Sequence, residues 1–230
     1  MIVALLALLV QPASACDPKA LAAAVNEASP VGVGPALVRL DACSPDEARK
    51  LAPAAVGRMV DAEGADQALL VGIRAGAWEA VRAWLGRQES DIRTRIVGRV
   101  GAVCATTPAV GEFLLDAAAH DPARFWQERW HKGLVECRTA SVRALLTEAL
   151  TGPYVGRGAH NRAGFQSVLE VYARNLGKDA IPTLATLLDE ARDDEDLATL
   201  LVVVFADAAQ VGRGGPDAEA AKAAVAAIQA

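Results

Sequence analysis

From residue 181 to residue 209 the chain alternates between one-sided and all-round hydrophobicity. Ile181, Leu184, Leu187 and Leu188 fall at spacings of three and four, one face of a 3.6-residue helix. Pro182 sits near the start, where its missing N–H costs little. The run 189–196, DEARDDED, interrupts the apolar pattern, and its acids suit the positive end of a following helix. Residues 197–209 are then apolar nearly all round, through Leu200, Leu201, Val202, Val203, Val204 and Phe205. A helix of that kind needs cover on more than one side. Together these residues predict a complete helical hairpin.

The same period predicts helices over 65–75, 77–88, 91–105, 107–119, 123–135, 140–150 and 161–176. Asp17 and Pro18 form an N-cap and first-turn pair for a helix through residue 28. Residues 30–35, PVGVGP, read as a break, and no strand precedes their Gly-x-Gly to make it a phosphate loop. Ser44-Pro-Asp-Glu47 reads as a capping box, with the Ser44 hydroxyl on the Glu47 amide. Residues 151–161, TGPYVGRGAHN, are the longest irregular interior stretch. Gly212 to Pro216 end the hairpin, and 216–230 is an Ala-rich terminal capping helix whose large side chains are Val225 and Ile228. Long β-branched alternations are missing, and alanine, the strongest helix former, dominates. The fold class expected is all-α.

Gly177-Lys-Asp-Ala-Ile-Pro-Thr-Leu184 resembles the first helix of a HEAT repeat, G-x-x-A-I-P-x-L. The second helix of that family opens D-x-x-V-R before an apolar run. Ser90-Asp-Ile-Arg93 with Ile96, Val97 and Val100 is similar to it, and Ser141-Val-Arg143 to Leu150 more so. Ser44-Pro-Asp-Glu-Ala-Arg49 is a fainter copy, and in the last hairpin Ala198 stands where the arginine would be. From Arg49 the steps to Arg93, Arg143 and Ala198 are 44, 50 and 55 residues. The resemblance therefore implies degenerate HEAT-like units with insertions over most of residues 34–211. It implies a short right-handed superhelical solenoid of antiparallel helix pairs, HEAT/armadillo-like, over 16–230. Each hairpin would bury its apolar face only by stacking on a neighbour.

Residues 1–15, MIVALLALLVQPASA, have an apolar core and an A-x-A ending that resemble a secretory signal peptide, although no Lys or Arg precedes the core. The alternative is a buried N-terminal helix. Cleavage after Ala15 leaves Cys16 first, which also raises a lipoprotein reading; Ala13 stands where that signal usually has Leu. The compartment expected is periplasmic or secreted, with membrane attachment only if Cys16 is lipidated. Four cysteines, Cys16, Cys43, Cys104 and Cys137, then allow two disulfides. Cys104–Cys137 and Cys16–Cys43 are the preferred pairs, because each ties sequence-neighbouring hairpins. Reduced buried thiols are the alternative if the chain stays in the cytoplasm.

Chemistry is thinly signalled. The histidines His120, His131 and His160 lack metal-ligand spacing, and no nucleophile elbow or P-loop is present. No catalytic residue, cofactor or metal is assigned. The formal net charge of −5 argues against a general nucleic-acid binder. Charge is uneven, however. Arg74, Arg82, Arg87, Arg93, Arg95 and Arg99 meet three acids between residues 70 and 100, while 183–230 carries nine acids and three bases. An acidic partner along the arginines is one reading and a solvated face the other. Trp126 and Trp130 with Arg124 and Arg129 form an aromatic, basic helix that is either a recognition surface or filler between Ala-rich helices. Tyr154, Arg157 and His160 mark the 151–161 loop as a third candidate. The expectation is a non-catalytic scaffold for an unidentified protein or peptide. The alternatives are an enzyme subunit with its site on 151–161 and an envelope lipoprotein anchored at Cys16.

Overall fold

The computed structural model describes residues 16–60, 64–151, 162–191 and 193–209, with Lys222, Val225, Ala226 and Ile228 beyond them. The signal-peptide reading of 1–15, the 151–161 loop beyond Thr151 with Tyr154, Arg157 and His160, and most of the terminal capping helix fall outside these residues. Every regular element among the described residues is helical: α1 (Pro18–Glu27), α2 (Val33–Cys43), α3 (Pro45–Arg58), α4 (Ala65–Arg74), α5 (Trp78–Gly86), α6 (Ser90–Gly101), α7 (Pro108–His120), α8 (Pro122–Gln127), α9 (Ala140–Thr151), α10 (Arg162–Leu176), α11 (Ile181–Glu190) and α12 (Glu195–Ala209). Two 3-10 segments, Trp130–Leu134 and Gly177–Ala180, precede α9 and α11. No helix among the described residues is long and apolar enough to cross a membrane.

Helix ends follow local chemistry. Asp17 caps α1 by accepting from the Lys19 and Ala20 amides at 3.0 and 3.2 Å. Thr139 Oγ1 accepts from Val142 N, and Asp194 Oδ1 from Leu197 N, at the starts of α9 and α12. Glu195 and Asp196 follow in the first turn of α12, where the dipole favours them. Ser44 departs from expectation: it is the N-cap of α3, but its hydroxyl makes no capping bond. Pro45 at the first position, which has no N–H to satisfy, and Asp46 and Glu47 beside the dipole set that helix start instead. Gly34 and Pro35, expected in a break, belong to the first turn of α2.

The chain divides into two compact units, Met1–Trp84 and Leu85–Ala230. In the first, α2 packs on α1, α3 and α4. Its core is Val25, Val33, Leu37, Leu40, Ala52, Val56, Leu69 and Ile73. Arg58, at the end of α3, donates to the carbonyls of Val25 and Asn26 at the C-terminus of α1, where orphan carbonyls need donors. Trp84 is fully buried and donates Nε1–H to Met59 O at 2.9 Å. Cys16 and Cys43 form a disulfide with Cα atoms 5.5 Å apart, joining the start of α1 to the end of α2.

In the second unit α10 is the central element, packed on α9, α12 and the 3-10 segment Trp130–Leu134, which in turn rests on α6. Phe113, Leu114, Leu146, Phe165, Val168, Leu169, Leu184, Leu201 and Phe205 fill the core. Cys104 and Cys137 form the second disulfide, wholly buried, with Cα atoms 5.1 Å apart. Gly111 lies against it; a Cβ there would stand 3.2 and 3.3 Å from the two sulfurs. Both disulfides are the pairs that sequence proximity favoured.

Candidate functional site

The aromatic and basic stretch 121–135 is not the single helix its periodicity predicts. Asp121 caps α8 by accepting from Arg124 N at 3.0 Å, and Pro122 opens the helix. After six residues Arg129 takes φ 64°, a left-handed backbone in which an L side chain is disfavoured, and the chain continues as the 3-10 segment. The break turns Trp130 and His131 inward. Trp126 and Trp130 are both buried, so neither is a surface anchor. Phe125 meets Trp126 edge-on at 5.2 Å, and the His131 ring stacks on Trp126 at 5.4 Å with 21° between planes.

The segment must come close to α6. A Cβ on Gly101 would lie 2.1 Å from Gly133 O, and one on Gly133 would lie 2.8 Å from a Val97 methyl. Glycine is required on both sides of this contact. Asn175, buried in α10, fixes the end of the segment by donating Nδ2–H to Leu134 O at 2.6 Å and Cys137 O at 3.1 Å. Asn175 Oδ1, Trp130 Nε1 and both ring nitrogens of His131 have no hydrogen-bond partner within the protein.

His131 is fully buried. Burial, and then the positive charge of Lys132, push its pKa down to about 4, so the ring is neutral at pH 7. The backbone of Phe125 and Trp126 and the carboxylate of Glu170 oppose the shift, but neither backbone completes a well-formed hydrogen bond to the ring. Lys132 Nζ pairs with Glu170 Oε2 at 2.8 Å, and Gln166 Nε2 donates to Glu170 Oε1 at 3.2 Å. Burial works against the Glu170 charge, yet the hydrogen bond and charge of Lys132 hold its carboxyl below the usual range.

A second charge group borders the break. Arg93, from α6, is buried and donates to Glu128 O at 3.2 Å and Gln88 O at 3.0 Å, and it pairs with Glu128 Oε2 at 3.3 Å. Arg124 reaches the same Glu128 oxygen at 2.9 Å. Arg93 therefore clamps α6 to the end of α8 and presents no free surface, contrary to its place among the partner-binding candidates. Arg124 is partly exposed but shares Glu128. Arg129 is exposed, as are Arg95 and Arg99, one turn apart on α6.

His120 ends α7 at the surface, whereas His131 is buried. Among the described residues, no three His, Cys, Asp or Glu side chains converge as metal ligands. A small hollow in the first unit, lined by Pro30, Val31, Pro35, Met59 and Ala65, contains no titratable group. Sequence reasoning missed Asn175, yet it had a signal: a polar residue at the fourth place of the stripe Phe165, Val168, Tyr172, Asn175, whose other members are apolar or aromatic. It also missed the pairings of Arg93 and Lys132, which depend on tertiary contact. No protein-family model, curated protein or solved structure matches this chain.

Proposed function

We propose that this chain is a non-catalytic helical-repeat scaffold that works outside the cytoplasm and holds an acidic protein or peptide segment. In this reading its hairpins stack as HEAT-like antiparallel pairs in a right-handed solenoid. Support comes from ties that recur at nearly constant separation. Asp41 pairs with Arg74 across 33 residues, Arg93 with the Glu128 backbone and carboxylate across 35, Arg143 with Asp179 across 36, and Lys132 with Glu170 across 38. A unit of two helices and two turns is about this long, so each tie joins a hairpin to the next. The two disulfides suit an oxidising compartment. They also bear on the lipoprotein alternative: a lipid thioether on Cys16 would need the sulfur atom that bonds Cys43.

The observation that carries the partner reading is Arg129. It is exposed at a left-handed backbone position, immediately after a carboxylate already shared by Arg93 and Arg124. Its charge is thus left toward solvent, with Arg95 and Arg99 exposed on α6. Planar guanidinium groups recognise carboxylates in paired hydrogen bonds. Fluorescence anisotropy with labelled acidic, neutral and basic peptides tests this. Acidic peptides are expected to bind with an affinity that falls with salt, and R95E/R99E/R129E is expected to abolish it. Equal binding of all three peptide classes, or an unaltered triple variant, refutes the reading.

A further inference from the structure

The two disulfides sit in opposite surroundings. Cys104 and Cys137 are buried, and Gly111 lies against both of their sulfurs. Cys16 is exposed and Cys43 half-buried. Exposed disulfides exchange with external thiols, whereas buried ones are shielded from them. We propose that Cys16–Cys43 is a thiol-exchange site, opened reversibly by attack of an external thiolate on Cys16, and that opening it unlatches the first half of α1 while Cys104–Cys137 stays closed. The proposal does not rest on the binding role above.

The chemistry is a substitution at sulfur. The incoming thiolate bonds to Cys16 Sγ, the Cys16–Cys43 bond breaks, and its electron pair leaves on Cys43 Sγ, which takes a proton from water. Return attack by Cys43 expels the thiol and restores the bond. A second thiol instead releases Cys16 as a thiol and leaves as the oxidised disulfide of the two reagent molecules. Access selects Cys16 as the point of attack. A helix N-terminus would favour Cys16 as the leaving thiolate, but Asp17 already places a carboxylate there, accepting from Lys19 N and Ala20 N. What the bond holds is α1. Val25 is the buried residue of this ten-residue helix, and residues 18–24 are exposed or half-buried. Ten residues are fewer than an isolated helix needs. The far end is secured independently, by Val25 and by the Arg58 bonds to the Val25 and Asn26 carbonyls. At the near end the Asp17 cap is internal to the helix, so the bond to Cys43, the last residue of α2, is what fixes that end to a neighbour. Once it opens, the first turns of α1 are free to fray back toward Val25.

The test treats the oxidised full chain with dithiothreitol, traps free thiols with iodoacetamide and weighs the intact protein over time. The expected first product carries two alkyl groups, on Cys16 and Cys43, which trypsin separates by cutting after Lys19 and Arg39. Cys16–Cys43 is expected to open at least about a hundredfold faster than Cys104–Cys137, whose sulfurs are reached only when the structure around them opens. Direct appearance of a four-label chain, or first labelling of Cys104 and Cys137, overturns the proposal. Reduced glutathione followed by an acid quench is expected to give a mixed disulfide on the Cys16 fragment; an adduct on Cys43 alone overturns the attack at Cys16. Amide exchange of the two-label chain reads the latch. Residues 20–24 are expected to exchange about tenfold faster than in the oxidised chain, with α2 unchanged. Unchanged exchange at 20–24 refutes the latch, and equal acceleration throughout α2 refutes it too, by making the bond a staple of the whole first unit.

Discussion

The buried imidazole of His131 makes acid stability a direct test of the second unit. Its pKa lies near 4 in the folded chain, against 6.5 for a solvated histidine. The unfolded chain therefore takes up a proton between pH 6.5 and 4 that the folded chain refuses. Folding is favoured by the full difference above pH 6.5, and that contribution is lost as pH falls toward 4. At about 1.36 kcal/mol per unit, the whole shift corresponds to ~3.4 kcal/mol. Linkage places ~2 kcal/mol of the loss between pH 7 and pH 5. The neighbouring Glu170 titrates below this window, because Lys132 holds its carboxyl down. The matched control is His131→Phe, which retains a ring against Trp126 and removes two unpartnered nitrogens. Urea unfolding at pH 7 and pH 5 is expected to show the wild type losing ~2 kcal/mol more than the variant. NMR titration of the His131 ring provides the pKa itself. A ring titrating near 6.5, or equal losses in both proteins, would sink the reasoning.

Other residues give sharper local tests. Gly101→Ala drives a methyl onto the Gly133 carbonyl and is expected to unfold the second unit, whereas Gly98→Ala on the same helix meets nothing within 4 Å. The latter is expected to stabilise by about 0.5–1 kcal/mol, as read by denaturant midpoint; similar effects at both positions would contradict the close approach. Asn175→Leu strips donors from the buried Leu134 and Cys137 carbonyls and is expected to cost about 1–3 kcal/mol, with a loss below a few tenths refuting the clamp. Cys104→Ala/Cys137→Ala opens a connection across 33 residues and is expected to cost about 3–4 kcal/mol. Intact-mass spectrometry of exported protein is expected to show a chain starting at Cys16 and four hydrogens lighter than its reduced form.

Most helices were legible because their signals are local. Asp17-Pro18, Pro182 and the acids before α12 act on neighbouring backbone groups, so the residues that place them are adjacent in sequence. The disulfides were legible for a related reason, since each links neighbouring hairpins. Two features were not. The aromatic stretch has helical spacing on both sides of Arg129, and periodicity alone does not reveal a left-handed residue between them. Just past the break Gly133 must lie close against Gly101 of α6, 32 residues earlier in the chain, a requirement set by tertiary contact. The roles of Trp126, Trp130 and Arg93 followed that break inward. Composition, which marks tryptophan and arginine as interface residues, gives no information on which side of the backbone they face.

The break also explains why the second unit concentrates its polar ties at 121–135. A 3-10 segment satisfies its backbone less well than an α-helix, and this one lies among apolar helices. Its C-terminal carbonyls are met by Asn175 from α10, and the carboxylate before Arg129 is met by Arg93 from α6 and Arg124 from α8. Lys132, within the segment, reaches Glu170 on α10. The ties come from three helices, two of them from α10, so the segment is held only when α6, α8 and α10 are all in place. Loss of one tie should therefore weaken the others, and E128Q combined with Asn175→Leu should cost less than the sum of the two single changes. Strict additivity in that double-mutant cycle would mean that the ties act independently and that the segment does not couple its neighbours.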